Sequence, residues 1–282
     1  MSSDRDDFMR REFPMRTEDY DFLRRLAVQT TGIELSDAKK EMVYSRLVRR
    51  IRALHMDSFA TYCRHLEQNP TAELSFFVNA ITTNLTSFFR EGHHFEALRT
   101  TILPDLVRRN AASRKLRIWS AACSTGEEPY SIAMSVLDSN LCSGWDIRIL
   151  ATDIDSNVLA QATAGRYVLE RVQGLASDVV QRHFIRVDQE GVLQVRPTVE
   201  NLVSFRQLNL MQQPWPMTGL FDVVFCRNVV IYFSKDTQRA LFNRIAEQMP
   251  VGGYLCIGHS ETMHGLSDRF DSLGRTMYRK RF

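Results

Sequence analysis

The chain has 282 residues, 24% of them charged and 44% apolar, with a formal net charge of +3. A chain of this length buries roughly three-quarters of its unfolded surface, so its core needs no disulfide or metal staple. The balance excludes a disordered or membrane-spanning chain, and so small a net charge gives no electrostatic case for nucleic acid.

Residues 1–15 are polar and read as a flexible N-terminus. From Thr17 to about Leu106 the apolar residues recur at helical spacing, without strand-like alternation. A first helix opens at Thr17 with Tyr20, Leu23, Leu26 and Ala27 on one face. A second, Lys39 to Arg52, turns Met42, Val43, Leu47 and Ile51 inward. Two more follow at Ser58–Leu66 and Thr71–Thr83, split by Asn69-Pro70, and another runs from about Gly92 to Arg109. After about Ala112 the period changes. Strands are predicted at Leu116–Ala121, Ile147–Thr152, Phe221–Cys226, Gly253–Gly258 and Thr276–Phe282, with helices at Pro129–Ser139, Ser156–Ala164 and Lys235–Met249 between them. This alternation predicts a parallel sheet with right-handed crossovers, the last strand added at an edge. Arg182–Val199 alternates around a Gln189-Glu-Gly turn and reads as a small antiparallel excursion.

The domains expected are a helical N-terminal domain over 16–95, a linker helix over 96–115, and an α/β domain over 116–282 with a β subdomain at about 182–203. Cys63, Cys123, Cys142, Cys226 and Cys256 show no C-x-x-C spacing. That is the usage of a reduced, cytoplasmic protein without structural zinc. No apolar signal region opens the chain and no 18-residue apolar run occurs, so a soluble protein without membrane insertion is expected, a monomer by default.

Four places carry chemistry. The first is the turn Cys123–Pro129, where Pro129 reads as the first helical residue. Asp153 follows Gly126 at the separation at which an α/β nucleotide-binding unit places its ribose carboxylate. Gly126 stands alone beside Glu127 and Glu128, whereas a dinucleotide site needs several glycines to approach a pyrophosphate. Acids here would repel a phosphate; they suit a cationic ligand with a ribose, and S-adenosylmethionine fits. An ordinary strand-to-helix turn capped by Ser124 or Thr125 is the alternative. The second is Asn84-Leu-Thr-Ser-Phe-Phe-Arg-Glu91, in which Arg90 after two phenylalanines is the odd residue; His93 and His94 follow without a third ligand at sensible spacing, so no metal is expected. The third is Phe221–Phe233, a buried strand that exposes Arg227 and Asn228 at its carboxyl edge, where open α/β sheets bind ligands, with Tyr232 one turn later. Asn209-Leu210 ends the preceding strand-like run, in reach of an adenine. The fourth is the basic side of the second helix, Lys39, Arg46, Arg49, Arg50 and Arg52. It reads either as a solvated face or as a surface for an acidic partner.

Together these strings resemble the CheR-type chemotaxis receptor methyltransferases, glutamate O-methyltransferases of methyl-accepting chemotaxis proteins. The carrying residues are Thr83–Glu91, Trp119–Ser131, Ala151–Asp155, Phe225–Phe233 and Gly258-His-Ser-Glu261. The resemblance runs from about Thr17 to the C-terminus. It implies an all-α N-terminal domain before a class I S-adenosylmethionine-dependent, Rossmann-like methyltransferase domain with an inserted antiparallel β subdomain. By matching position, Asn84, Thr86, Arg90, Glu128, Asp153, Asn209, Leu210, Arg227 and Asn228 would line the cofactor pocket, with Arg90 and Tyr232 nearest the transferred methyl. The basic helix matches the family's receptor-reading helix, so the partner implied is the cytoplasmic helical bundle of a chemotaxis receptor, and the product S-adenosylhomocysteine. Val187–Gly191 is shorter than the glycine-containing loop of members that hold a receptor's C-terminal pentapeptide, so no tight tether is expected. The rival readings are a methyltransferase of another acidic protein or of nucleic acid, and a non-catalytic cofactor-sensing adaptor. No Asp/Asn-Pro-Pro-Tyr string and no Pro-Cys nucleophile occurs to favour nucleic acid.

Overall fold

A computed structural model describes residues 8, 11–187 and 191–282, and its chain divides into two compact units. Residues 1–83 with 232–234 form one; residues 84–231 with 235–282 form the other. The division falls before Asn84, so the Asn84–Glu91 string belongs with the sheet-containing unit and not with the helical domain read as 16–95.

The helical unit holds α1 (Thr17–Thr31), α2 (Lys40–Ala53), α3 (Phe59–Gln68) and α4 (Pro70–Ile81). The last two start where their sequence provides for it. Ser58 accepts from the Thr61 N–H at 3.3 Å as N-cap of α3, and Pro70 opens α4, where an N–H would lack a partner. Tyr20, Leu23, Ala27, Val43, Leu47 and Ile51 are buried as their spacing predicts, whereas Leu26 and Met42 stay half-buried. The described end of the N-terminus is not a free tail. Phe8, Phe13 and Met15 are buried, and the Phe8 ring meets Tyr44 edge-on at 5.6 Å. Three apolar residues outweigh the polar composition that suggested mobility.

In the second unit α5 (His93–Ala97) passes through a π-helical turn, Leu98–Ile102, into α6 (Leu103–Arg109). Then come β1 (Lys115–Ser120), α7 (Glu127–Asp138), β2 (Asp146–Asp153), α8 (Ser156–Ala164), β3 (Arg166–Tyr167), α9 (Leu169–Val172), α10 (Ser177–His183), β4 (Phe184–Arg186), β5 (Leu193–Val195), α11 (Pro197–Glu200), β6 (Val203–Gln207), β7 (Val223–Cys226), α12 (Lys235–Glu247), β8 (Tyr254–Ile257), β9 (Phe270–Gly274) and β10 (Met277–Lys280). Among the described residues the main sheet runs β6-β2-β1-β7-β8-β10-β9, parallel except for the antiparallel β10. Strand order reverses between β1 and β7, the switch point at which such sheets bind ligands.

Two expectations are corrected. The strand read at the C-terminus as an edge lies instead between β8 and β9, and β9 was not predicted. Val203–Gln207 pairs in parallel with β2 as an edge of the main sheet, so the small sheet is β3-β5-β4 and draws its first strand from Arg166–Tyr167 rather than from residues near 203. The predicted Gln189-Glu-Gly turn lies at Gln189 and Glu190 outside the described residues. The core under the main sheet includes Leu116, Ile118, Ile132, Phe225 and Cys256. Trp119 is fully buried, and its indole N–H donates to Thr152 Oγ1 at 2.9 Å, so the ring carries no unpaired donor into the core.

Candidate functional site

The predicted residues of the second unit gather at the carboxyl ends of β1, β2, β6 and β7. Beyond β1 the backbone is pinned on both sides. The Ala121 N–H donates to Phe225 O at 2.8 Å, and the Cys123 N–H donates to Thr152 O at 3.0 Å. Ser124 (φ 48°) and Gly126 (φ 96°) are both left-handed. A Cβ on Gly126 would lie 2.8 Å from the Tyr167 hydroxyl and 2.9 Å from Ala162 Cβ, so only glycine lets the chain turn into α7 here. The helix begins at Glu127, which makes Pro129 its third residue rather than its first; proline is tolerated there because the N–H groups of a first turn have no intrahelical acceptor. Neither Ser124 nor Thr125 caps α7. Ser124 Oγ donates to Asn84 O at 3.1 Å, and Thr125 Oγ1 donates to Glu127 Oε2 at 2.6 Å.

The paired glutamates part company. Glu127 is fully buried and faces Thr125 and, at 3.5 Å, Arg171. Glu128 accepts from Ser120 Oγ at 2.7 Å and from Arg227 Nη1 at 3.0 Å. Burial nonetheless pushes the Glu128 carboxyl above its ordinary value, with Arg227 and Ser120 opposing the shift.

Asp153 ends β2 with Oδ2 on the Ser124 N–H (2.8 Å) and Oδ1 on the Asp155 N–H (3.0 Å). Burial raises its carboxyl as well, against those backbone donors. Asp155 caps α8 through the Asn157 N–H at 2.9 Å and accepts from Asn84 Nδ2 at 2.8 Å. Leu208 N–H donates to Asp153 O at 2.9 Å, which sets Asn209 and the buried Leu210 at the neighbouring strand end. Asn209 Oδ1 accepts from the Met211 N–H at 2.9 Å, and Arg244 donates to Leu210 O.

The 84–91 segment folds over the same edge. Arg90 Nη1 donates to Leu85 O at 2.7 Å, and Thr86 O accepts from Arg171 at 3.2 Å. Phe88 fixes the segment by edge contacts with Tyr167 (4.9 Å) and Phe184 (5.4 Å), and the Phe89 N–H donates to Ser131 Oγ at 2.9 Å. Phe89 (φ 51°) and Glu91 (φ 57°) are both left-handed without being glycine, the kind of backbone strain that persists where surrounding contacts over-determine it.

Arg227, 4% exposed, donates to Glu128 and to Arg90 O, and lies 3.3 Å from Glu91. Its Nε is buried without a partner among the described residues. Asn228 is left-handed (φ 57°) and donates through Nδ2 to Glu91 Oε1 at 3.1 Å. Glu91 also accepts from the His259 N–H (3.1 Å) and pairs with His259 Nδ1 (2.9 Å). Burial works against the charged form, yet His259, Arg227 and Asn228 together hold this carboxyl down to about 2. Glu261, 6% exposed, accepts from the N–H groups of Asn228 (3.1 Å), Val230 (3.0 Å) and Gly258. Sequence reasoning gave no role to Glu91 or Glu261. Both lie in strings that were singled out, but nothing in those strings says that they converge on Asn228. Glu91 also brings a third ligand-type atom to His93 and His94, all within 4.8 Å. With Arg227 3.3 Å from Glu91 and both imidazole Nε2 atoms 3.2 Å from Arg275 O, the group reads as hydrogen-bonded support.

Tyr232 belongs to the helical unit. Its carbonyl accepts from the Glu34 N–H at 2.8 Å, and the Lys39 ammonium stands 4.6 Å over its ring. The basic side of α2 is largely committed inside that unit. Arg46 donates to the Ala80 and Thr82 carbonyls. Arg50 grips the buried Glu73 at 2.6 Å and stacks 3.6 Å over Phe76. Arg52 pairs with Glu12 at 2.7 Å. Arg49 is exposed and has no such partner among the described residues.

The geometry fits a cationic nucleoside ligand better than a phosphate. The half-buried Glu128 and the buried Asp153 carboxylates, both raised by desolvation, gain from a nearby positive charge, and a glycine opens the backbone of the turn between them. Comparison with known proteins agrees. The family model described as "CheR methyltransferase, SAM binding domain" matches residues 84–279, and "CheR methyltransferase, all-alpha domain" matches residues 18–82. Chemotaxis protein methyltransferase 2 of Pseudomonas aeruginosa is 43% identical over 274 residues, 96% of each chain. The chemotaxis protein methyltransferase of Escherichia coli is 42% identical over 259 residues, 91% of this chain and 88% of its own. That of Salmonella typhimurium is 43% identical over 256 residues, 90% of this chain and 86% of its own.

Proposed function

Because the chain belongs to the CheR methyltransferase family, with its all-α and S-adenosylmethionine-binding domains in order, we propose that it methylates glutamate side chains of chemotaxis receptors. The receptor's cytoplasmic helical bundle is the substrate and glutamate methyl esters are the products. The observation that carries the reading is the convergence of Glu128, Asp153 and Arg227 on the switch point of the sheet, an acid-rich edge with one glycine turn in place of a phosphate cradle.

In this reading Asp153 receives the ribose hydroxyls, Glu128 faces the ammonium, and Asn209 with Leu210 borders the adenine. Asn84, Thr86, Arg227 and Asn228 complete the pocket. When bound, S-adenosylmethionine supplies a methyl group already activated by its sulfonium. A glutamate is ionised at neutral pH (ordinary pKa about 4.3), so no general base is needed. The protein's task is orientation, for which effective molarities are large. Arg90 takes the incoming carboxylate, a role supported by its place on the strained 84–91 segment; Tyr232 is assigned by resemblance alone, and Tyr232→Phe tests it. For the receptor, Arg49 heads the basic face, because Arg46 and Arg50 already serve the helical unit.

A tritiated methyl-transfer assay on receptor-containing membranes, with RNA and DNA as controls, tests the reading. Base-labile counts in the receptor band are expected. Counts in nucleic acid, or cofactor binding with no transfer to any acceptor, overturn it in favour of the two rival readings. Arg90→Ala should lose transfer by about 100-fold or more, and near-normal turnover would remove Arg90 from the reacting centre. Arg49→Glu should raise the KM for receptor while S-adenosylhomocysteine binding, followed by calorimetry, stays unchanged. An unchanged KM would take the receptor surface elsewhere.

A further inference from the structure

A left-handed asparagine, a glycine and a buried glutamate meet beyond β7 and β8. Asn228 holds φ 57°, a conformation asparagine tolerates better than most residues but does not prefer. Its N–H and that of Val230 both point at Glu261, as does the N–H of Gly258. Backbone N–H groups that converge in this way from two loops, 228–230 and 258, make a nest-like anion site, comparable to the device that in other folds receives a phosphate or carboxylate from outside. Here the occupant is the chain's own carboxylate, 6% exposed and without a cationic side chain among its hydrogen-bond donors. Gly258 makes the approach possible. A Cβ there would lie 2.4 Å from Asn228 Nδ2 and 2.9 Å from both Asn228 N and Glu261 Oε2. The Asn228 side chain then leaves the nest and donates to Glu91, the carboxylate shared with Arg227.

We propose that Glu261 is a positioning residue: by filling the nest it holds Asn228 left-handed and so fixes the Asn228 side chain, on Glu91, at the border of the cofactor site. Resting on the cofactor site assigned above, this adds a residue that touches no ligand yet sets the geometry of one that does.

The test is a double-mutant cycle read by calorimetric titration of the intact protein with S-adenosylhomocysteine, with the melting temperature of each ligand-free variant as a control. Glu261→Gln keeps the size but turns an amide N–H₂ toward backbone donors, and it should weaken binding about tenfold. Asn228→Gly keeps the left-handed backbone and removes the amide; in that background Glu261→Gln should cost less than about twofold. Equal losses in both backgrounds, or a fall in melting temperature with unchanged affinity, overturn the proposal and leave Glu261 structural. Should Glu261→Gln fail to fold, Gly258→Ala carries the test, since it drives a methyl group against the Asn228 amide. Affinity unchanged in Gly258→Ala overturns the proposal. A wild-type protein that binds no S-adenosylhomocysteine refutes the cofactor site itself, a separate result.

Discussion

The two turns that face the candidate site, 121–129 after β1 and 226–232 after β7, are built in opposite ways. The first carries its acids with it: Glu127 and Glu128 open α7, and Ser120, Ser124 and Thr125 lie within a few residues. The second has a cation and an amide of its own and borrows every acid. Glu128, Glu91 and Glu261 reach Arg227 and Asn228 from elsewhere in the chain. The first turn supplies its own glutamates although neighbouring strands hold its backbone, whereas the second depends on the rest of the unit for its acids as well. Substitutions in the two should therefore fail differently.

The largest effect should come from the second turn. Arg227→Met leaves Glu91 and Glu128 facing each other without their shared cation, which for buried charges costs about 3–5 kcal/mol. Denaturant unfolding should show that loss together with abolished cofactor binding. A loss below about 1 kcal/mol would mean that the acids find other partners. Gly126→Ala attacks the first turn. A left-handed backbone and a methyl group 2.8 Å from the Tyr167 hydroxyl should together cost about 3 kcal/mol, with the thermal midpoint as readout. A stable, active variant would show that the turn relaxes.

The third effect is one of pH. Glu91 is held down to about 2, below the ordinary carboxylate value of about 4.3. A group depressed on folding gives stability that is complete above its unfolded pKa and is lost as pH falls toward the folded one. Stability should thus decline between about pH 4.5 and 2, and Glu91→Gln should flatten that limb. His94 adds a second decline. Burial first, then Arg227 and His93, lower it to about 3, so the unfolded chain alone takes up a proton below its ordinary value of about 6.5, and stability falls as pH drops from there. An acid limb identical in wild type and Glu91→Gln would remove Glu91 from the linkage.

The same contrast explains what could be read in advance. Gly126, Glu128 and Asp153 were legible because one strand–turn–helix–strand unit contains them all. Glu261 was not, because its partners Asn228 and Val230 are contacts of topology. Arg46 and Arg50 looked like a surface because their acceptors, the Thr82 carbonyl and Glu73, lie at the end of another helix and on it. Val203–Gln207 was not assigned to the main sheet because an edge strand is half-exposed, and its alternation does not say which sheet it joins. Phe270–Gly274 went unread because only Phe270 in it is buried.

The central place of β10 bears on the order in which the protein becomes functional during synthesis. Residues 277–280 leave the ribosome after β8 and β9, yet lie between them and pair with both. The tight turn before them, Arg275-Thr276, presents the carbonyl that meets His93 and His94, immediately beyond Glu91 in the chain. A nascent chain can thus pair β1 with β2 early, while the turn after β1 waits for β7, whose Phe225 carbonyl receives the Ala121 N–H. The loop that carries Arg90 and Glu91 gains its last support only when β10 slots home. Competence to bind cofactor should therefore appear late and abruptly, close to the end of translation of this unit.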